Sequence, residues 1–206
     1  YNYNYKIRYY LNETSNNINN IKHPVIKHGL KFYNIKNKKL HITYDGELPS
    51  RSGLGTSSSF TVGFINSIYS FKNKKINKLN LAKEAIYFEH NILKEHSGLQ
   101  DQIAVSCGGL NYIKFKPNSF NVRKLKISEN KIKTLSNSLY LCFVPGSRNS
   151  SEIEEKKKKN IFKNKNIYDE IFQITGEALN ELKSNKTSWF DNFNFYINEY
   201  WKLKKN

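Results

Sequence analysis

The run Pro49-Ser50-Arg51-Ser52-Gly53-Leu54-Gly55-Thr56-Ser57-Ser58-Ser59-Phe60 gathers glycine and hydroxyl side chains between a strand pattern and a helix pattern. Two glycines let the backbone turn tightly and come close to a ligand. Phe60, Phe64, Ile68 and Phe71 recur at helical spacing. A helix therefore begins near Thr56 and points its free N–H groups, and the positive end of its dipole, back into the loop. That combination is an anion site suited to phosphate. A hydroxyl from Thr56, Ser57 or Ser58 can add a hydrogen bond or reach a phosphate-bound Mg²⁺, and the residue types do not choose among them. A Ser-rich cap on an ordinary helix would use the same residues. A Walker loop is excluded, because no Gly-Lys-Ser/Thr follows the glycines.

Two carboxylates stand out downstream. The spacing predicts a helix from about Leu81 to Glu95, with Leu81, Ala82, Ala85, Ile86, Ile92 and Leu93 in one apolar stripe. Glu89 falls near the middle of that stripe, whereas Lys83, Glu84, Lys94 and Glu95 lie outside it. A carboxylate on a buried face is costly unless it is paired or metal-bound. The alternatives for Glu89 are an ion pair with a lysine or a place beside Mg²⁺. Asp101, in Ser97-Gly98-Leu99-Gln100-Asp101-Gln102, is either a helix cap or a proton acceptor. Arg51 and Arg148 suit bidentate phosphate binding or are surface charge.

Taken together, the glycine-hydroxyl loop, the acidic helix from Glu89, the Ser97–Gln102 segment and Cys107-Gly108-Gly109-Leu110-Asn111 resemble the small-molecule kinase superfamily named for galacto-, homoserine, mevalonate and phosphomevalonate kinases (GHMP). Within it, the wording Arg-Ser-Gly-Leu-Gly, Gly-Leu-Gln-Asp-Gln and Gly-Gly-Leu-Asn-Tyr-Ile is similar to the heptose 7-phosphate kinases, and the resemblance spans nearly the whole chain. It implies an ATP- and Mg²⁺-dependent phosphotransferase acting on the anomeric hydroxyl of D-glycero-D-manno-heptose 7-phosphate to give the 1,7-bisphosphate used for cell-surface glycans. A fucokinase-like enzyme is the near alternative.

By the same resemblance, Pro49, Arg51, Ser52, Gly53, Leu54, Gly55, Thr56, Ser57 and Ser58 form the nucleotide site. Ser57 and Glu89 hold the metal, and Asp101 is the base. Gly98, Gln100 and Arg148 are weaker sugar-phosphate contacts. The implied fold is α+β, with a ribosomal protein S5 domain 2-like amino-terminal domain over 1–130 and the beginning of a ferredoxin-like carboxy-terminal domain over 131–206. The family's amino-terminal Gly-Gly-Gly-Thr-Asp run and carboxy-terminal Gly-rich motif are not in the sequence, and there is no methionine, so the chain is expected to be a fragment. An inactive truncated copy is the corresponding alternative.

The elements that must position these residues follow from the patterning. Tyr5, Ile7, Tyr9 and Leu11 alternate as a strand, and Asn12 to Asn20 reads as a polar loop. Pro24 opens a helix carrying Val25, Ile26, Leu30 and Phe32. Leu40, Ile42 and Tyr44 form a strand that feeds the glycine loop. Strands are expected over Leu110 to Phe115 and Val122 to Ile127, and a short helix around Ile132 and Leu135. The continuous apolar run Leu139 to Val144 is a central-strand pattern. Helices follow over about 151–183, with a stripe at Ile167, Ile171, Ile174, Ala178 and Leu182, and over Trp189 to Trp201.

Composition narrows the class. A chain of 206 residues can bury one sizeable core or two small ones. A net charge of +17 with fourteen tyrosines would suit a basic nucleic-acid-binding protein. Yet Lys, Asn, Ile and Tyr are inflated together, sharing A/T-rich codons, and apart from Lys156 to Lys159 the lysines form no stripe. Nucleic acid is therefore not the expected partner. Cys107 and Cys142 lack metal spacing and read as small buried residues in a reducing cytoplasm. No apolar run approaches the roughly 20 residues of a membrane helix.

Overall fold

Residues 3–36, 39–47, 53–142 and 164–205 are described by the structure, a computed structural model. The alternation at Tyr5 and Ile7 makes β1 (Tyr5–Arg8), and both side chains are buried. β1 is the middle strand of a three-stranded sheet, antiparallel to β2 (Asn12–Ser15) and parallel to β3 (Leu40–Thr43). The parallel pair requires a crossover, which contains α1 (Pro24–Phe32), opened by its proline. Val25, Ile26 and Leu30 of α1 enter the core; Phe32 is instead 43% exposed, and Tyr33 takes the inward place.

β2 stands where a polar loop is expected. Asn12-Glu13-Thr14-Ser15 has no apolar alternation, so the period carries no strand signal. Its inward side chain is Glu13, a buried carboxylate that accepts from the Tyr9 hydroxyl (2.7 Å) and from the backbone N–H groups of Lys22 (2.6 Å) and His23 (3.2 Å). Hydrogen bonds, not apolar burial, hold this strand to the chain that enters α1.

α2 (Thr56–Phe71) starts where the glycine loop ends and buries Val62, Phe64, Ile65 and Ile68. It lies so close to α1 that a Cβ on Gly29 would stand 2.3 Å from Phe64 Cε1. α3 (Lys78–Tyr87) is capped by the Asn77 side chain, which accepts the Asn80 N–H at 2.9 Å. The hydroxyls of Tyr33 and Tyr69 each donate to Glu84 at 2.6 Å, tying the ends of α1 and α2 to α3. The bond to Glu84, with burial, pushes Tyr69 up to about 12, and burial with the same carboxylate raises Tyr33 further.

The helix expected to run to Glu95 changes character after Tyr87. A π-helical turn, Phe88–Ile92, follows, with the Leu93 N–H reaching the Phe88 carbonyl at 3.0 Å. π turns of this kind recur at functional sites. α4 (Gln100–Cys107) then leads through Gly108 and Gly109 into the hairpin β4 (Asn111–Lys116) and β5 (Ser119–Lys124). The turn at Pro117-Asn118, with Asn118 at φ 56°, pairs Phe115 with Phe120, so β5 begins and ends earlier than the Val122–Ile127 run suggests.

Among the described residues, those up to Lys124 form one compact unit and those from Leu125 a second. The second contains α5 (Glu129–Asn137), α6 (Lys165–Lys183) and α7 (Trp189–Lys205). Lys131 donates to the carbonyls of Leu182 (2.9 Å) and Ser184 at the end of α6, and its ammonium lies 4.6 Å from the Trp189 ring centroid. The expected central strand over Leu139–Val144 is not seen in its described part: Leu139, Tyr140 and Leu141 are 75%, 87% and 67% exposed. Cys142 is exposed and Cys107 only partly buried, contrary to the reading of both as buried. Among the described residues this unit offers no strand to pair with, and an isolated strand leaves its backbone groups unsatisfied. Residues 143–163, including Lys156 to Lys159, lie outside the described residues.

Burial pushes the Glu13 carboxyl up, but its bonds to Lys22, Tyr9 and His23 outweigh this and hold it below the ordinary 4.5. A carboxyl depressed in the folded state adds stability above its unfolded value and loses it as pH falls through the folded one. Urea midpoints should therefore fall on acidification below about pH 4.5, and Glu13→Gln should be less stable at pH 7 and flatter in acid. Parallel pH curves for the two proteins would contradict the assignment.

Candidate active site

The described part of the glycine loop begins at Gly53; Pro49, Ser50, Arg51 and Ser52, like Arg148, lie outside the described residues. Gly53 (φ 77°) and Gly55 (φ 69°) are both left-handed, a conformation costly for any other residue here. Gly55 is the N-cap of α2 and supplies no side-chain cap. The first helical bond runs from the Ser59 N–H to the Gly55 carbonyl at 2.9 Å. The N–H groups of the preceding turn thus have no partner within the helix. Leu54 and Ser57 are exposed, Thr56 is half-buried and Ser58 is buried.

Gly55 has a second role. A Cβ built on it would lie 3.1 Å from both Cγ and Oδ2 of Asp101. The Asp101 carboxylate therefore packs directly against the N-terminus of α2, brought there by the first turn of α4. Gly98 and Gln100, on the approach to Asp101, are exposed. The loop and Asp101, far apart in sequence, form one site.

Beside them Glu89 is 1% exposed. Its Oε2 accepts from the Ser58 hydroxyl (3.2 Å), the Ser97 hydroxyl (3.0 Å) and the Gln102 amide. Its Oε1 is buried without a partner, and so is Gln102 Oε1. Among the described residues no ion pair joins Glu89. The hydroxyl that reaches it is Ser58; Ser57, the hydroxyl assigned to the metal by resemblance, is exposed one residue earlier. The chain leaves the π turn through Lys94 at φ 59°, and the Glu95 N–H returns to the Glu89 carbonyl at 2.9 Å. Burial and the charge of Glu89 raise the Glu95 carboxyl. His90 Nε2 donates to the Ser97 carbonyl at 2.8 Å, fixing the loop that carries the Ser97 hydroxyl.

Ser97 and Gln102 are the site residues that sequence reasoning misses. Gln102, Ile103 and Ser106 are the buried residues of α4; with Ile103 the one apolar side chain among them, the helix has no apolar stripe in which Gln102 would stand out. Nothing in the type of Ser97 distinguishes it from an ordinary loop serine.

Among the described residues no group of three or more His, Cys, Asp or Glu side chains forms an all-protein metal cage. Mg²⁺ does not need one, since it takes one or two carboxylates with phosphate oxygens and water. The unpartnered Glu89 Oε1, beside a helix N-terminus suited to phosphate, fits that requirement.

Residues 19–109 match the family model described as GHMP kinases N terminal domain. This segment is similar to the N-terminal domain of GHMP kinases. The surrounding chain is 29% identical over 160 residues to D-glycero-alpha-D-manno-heptose 7-phosphate kinase of Campylobacter jejuni, covering 77% of this chain and 47% of that one. A D-glycero-D-manno-heptose 1-phosphate kinase from Bacteroides thetaiotaomicron superposes with a TM-score of 0.64 at 21% identity, covering 98% and 63%. Mevalonate kinase of Methanococcus jannaschii gives 0.63 at 23%, covering 98% and 65%. The α+β fold is thus the GHMP kinase fold. The chain spans about half the length of its curated heptose kinase relative and under two thirds of each of these two solved structures. Among the described residues no helix is long and apolar enough to cross a membrane.

In this domain a buried carboxylate with only neutral donors is not a stabilising device. Replacing Glu89 by Gln removes the buried charge and keeps an acceptor for Ser58, Ser97 and Gln102. Without divalent cations, Glu89→Gln is expected to melt at or above the temperature of the parent. A drop of several degrees would instead mark a structural ion pair.

Proposed function

We propose that this protein is an ATP-dependent sugar-phosphate kinase acting on the anomeric hydroxyl of D-glycero-D-manno-heptose 7-phosphate or a close relative of it. The observation that carries the reading is the contact of Asp101 with Gly55, which sets a proton acceptor against an anion-binding helix N-terminus. The N–H groups of the first turn of α2 bind the phosphates of ATP, and the glycines leave room for close approach. Asp101 accepts the proton of the sugar hydroxyl as its oxygen bonds to the γ-phosphorus, while the bond from that phosphorus to the bridging oxygen breaks and ADP leaves. Glu89 Oε1 would hold Mg²⁺, which when bound neutralises charge on the phosphates. Ser58 and Ser97 orient that carboxylate. Arg148, Gly98 and Gln100 are the proposed sugar-phosphate contacts, with Pro49, Arg51 and Ser52 completing the nucleotide loop. The heptose assignment rests on the named activities of the relatives and on the wording of the Gly53 and Asp101 segments. A soluble, cytoplasmic setting, where ATP and sugar phosphates occur together, goes with this activity, as does supply of precursors for surface polysaccharide.

Asp101→Asn keeps the shape of the side chain and removes its proton acceptance. Positioned proton transfer is worth about 10²–10⁴-fold, so kcat for sugar-dependent ADP release should fall by that order while ATP affinity stays near the parent's. Turnover within about threefold of the parent would remove Asp101 from the role of base. Joint loss of turnover and ATP binding would make it structural.

A further inference from the structure

We propose that Gln102 is a positioning residue for the divalent cation: its amide holds Glu89 Oε2 and leaves Oε1 alone to bind metal. The inference rests on reading Glu89 as the metal-binding carboxylate. The terminal torsion of a glutamate is broad and nearly two-fold, so an unheld carboxylate presents its two oxygens interchangeably. Here it is held on one side only. Ser58 from α2, Ser97 from the loop and Gln102 from α4 all donate to Oε2, and Oε1 has no partner.

The three donors are not equivalent. A serine hydroxyl rotates and can turn its hydrogen elsewhere, whereas an amide is planar and its N–H directions are set by the side chain. Gln102 is fully buried, and its Nε2 donates both to Glu89 Oε2 and to Ser97 Oγ, the latter at 3.2 Å. Both N–H groups are thereby used on this one cluster, which fixes the nitrogen end of the amide toward the carboxylate. Ser97 passes the contact on, accepting from Gln102 and donating to Glu89, with its own carbonyl held by His90.

The donors are also uncharged. A lysine or arginine in this place would neutralise Glu89 and compete with a cation. An amide and two hydroxyls orient the carboxylate while leaving its charge available. Groups that orient a metal ligand in this way are typically worth about 10- to 100-fold in metal affinity.

The test is binding of Mn²⁺, used as a spin-active substitute for Mg²⁺, to the whole protein with a non-hydrolysable ATP analogue, followed by the free-ion electron paramagnetic resonance signal. Gln102→Met keeps the length of the side chain and removes both donors. It is expected to raise the Mn²⁺ Kd by about 10- to 100-fold and to leave binding of the analogue without metal unchanged, a split that loss of packing would not produce. Glu89→Gln is measured alongside. If Glu89→Gln abolishes Mn²⁺ binding and Gln102→Met stays within about threefold, the positioning role is wrong. If Glu89→Gln itself leaves Mn²⁺ binding intact, the metal-ligand reading fails and takes the proposal with it. Should Gln102→Met not fold, Ser97→Ala on the partly buried loop decides: a several-fold weaker Mn²⁺ affinity supports the clamp, and an unchanged one overturns it.

Discussion

Glu89 Oε2 is the point at which three stretches of the chain are tied together. Ser58 comes from the start of α2, Ser97 from the loop after the π turn, and Gln102 from α4. Each bond is short-range and needs its donor in one place, so the surrounding packing must be stiff. α1 and α2 approach closely enough that Gly29 has no room for a methyl group against Phe64, and Glu84 ties Tyr33 and Tyr69 to α3. These contacts fix the helices whose ends meet at Glu89. The first turn of α4 brings Asp101 onto Gly55 at the start of α2.

The electrostatics of this arrangement favour function over stability. A buried carboxylate is most easily stabilised by a cationic side chain, and a chain with a net charge of +17 has many. Among the described residues none pairs with Glu89. Neutral donors compensate only part of the desolvation cost. An oxygen left without a partner is then a place where a bound cation restores the balance. α2, which begins at a glycine with no side-chain cap, leaves its end open in the same sense toward an anion. Opposite deficits of charge lie side by side, which is the arrangement a metal–phosphate complex matches.

Much of this was legible in the sequence, and the parts that were not share a cause. The helix over Thr56–Phe71, the glycine loop before it and the segment around Asp101 follow from period, glycine placement and residue type. The burial of Glu89 follows from its place in an apolar stripe. β2 was not legible because its inward residue, Glu13, is satisfied by hydrogen bonds, and apolar alternation is silent about those. The π turn was not legible either, since one widened turn hardly changes a helical pattern. The run at Leu139 to Leu141 has a strand's composition but, among the described residues, no partner strand, and pairing is a property of two segments. Ser97 and Gln102 acquire their roles only when folding sets them on Glu89. Which hydroxyl of Thr56, Ser57 and Ser58 faces inward was likewise left open by residue type; Ser58 is the one on Glu89.

The most direct test is a crystal structure of the whole protein with Mg²⁺ and a non-hydrolysable ATP analogue. The metal is expected on Glu89 Oε1 at about 2.0–2.1 Å, with Oε2 still held by Ser58, Ser97 and Gln102. The nucleotide phosphates are expected on the N–H groups of the first turn of α2, beside Asp101. A nucleotide bound elsewhere, or a metal bound there without any contact to Glu89, would contradict these roles.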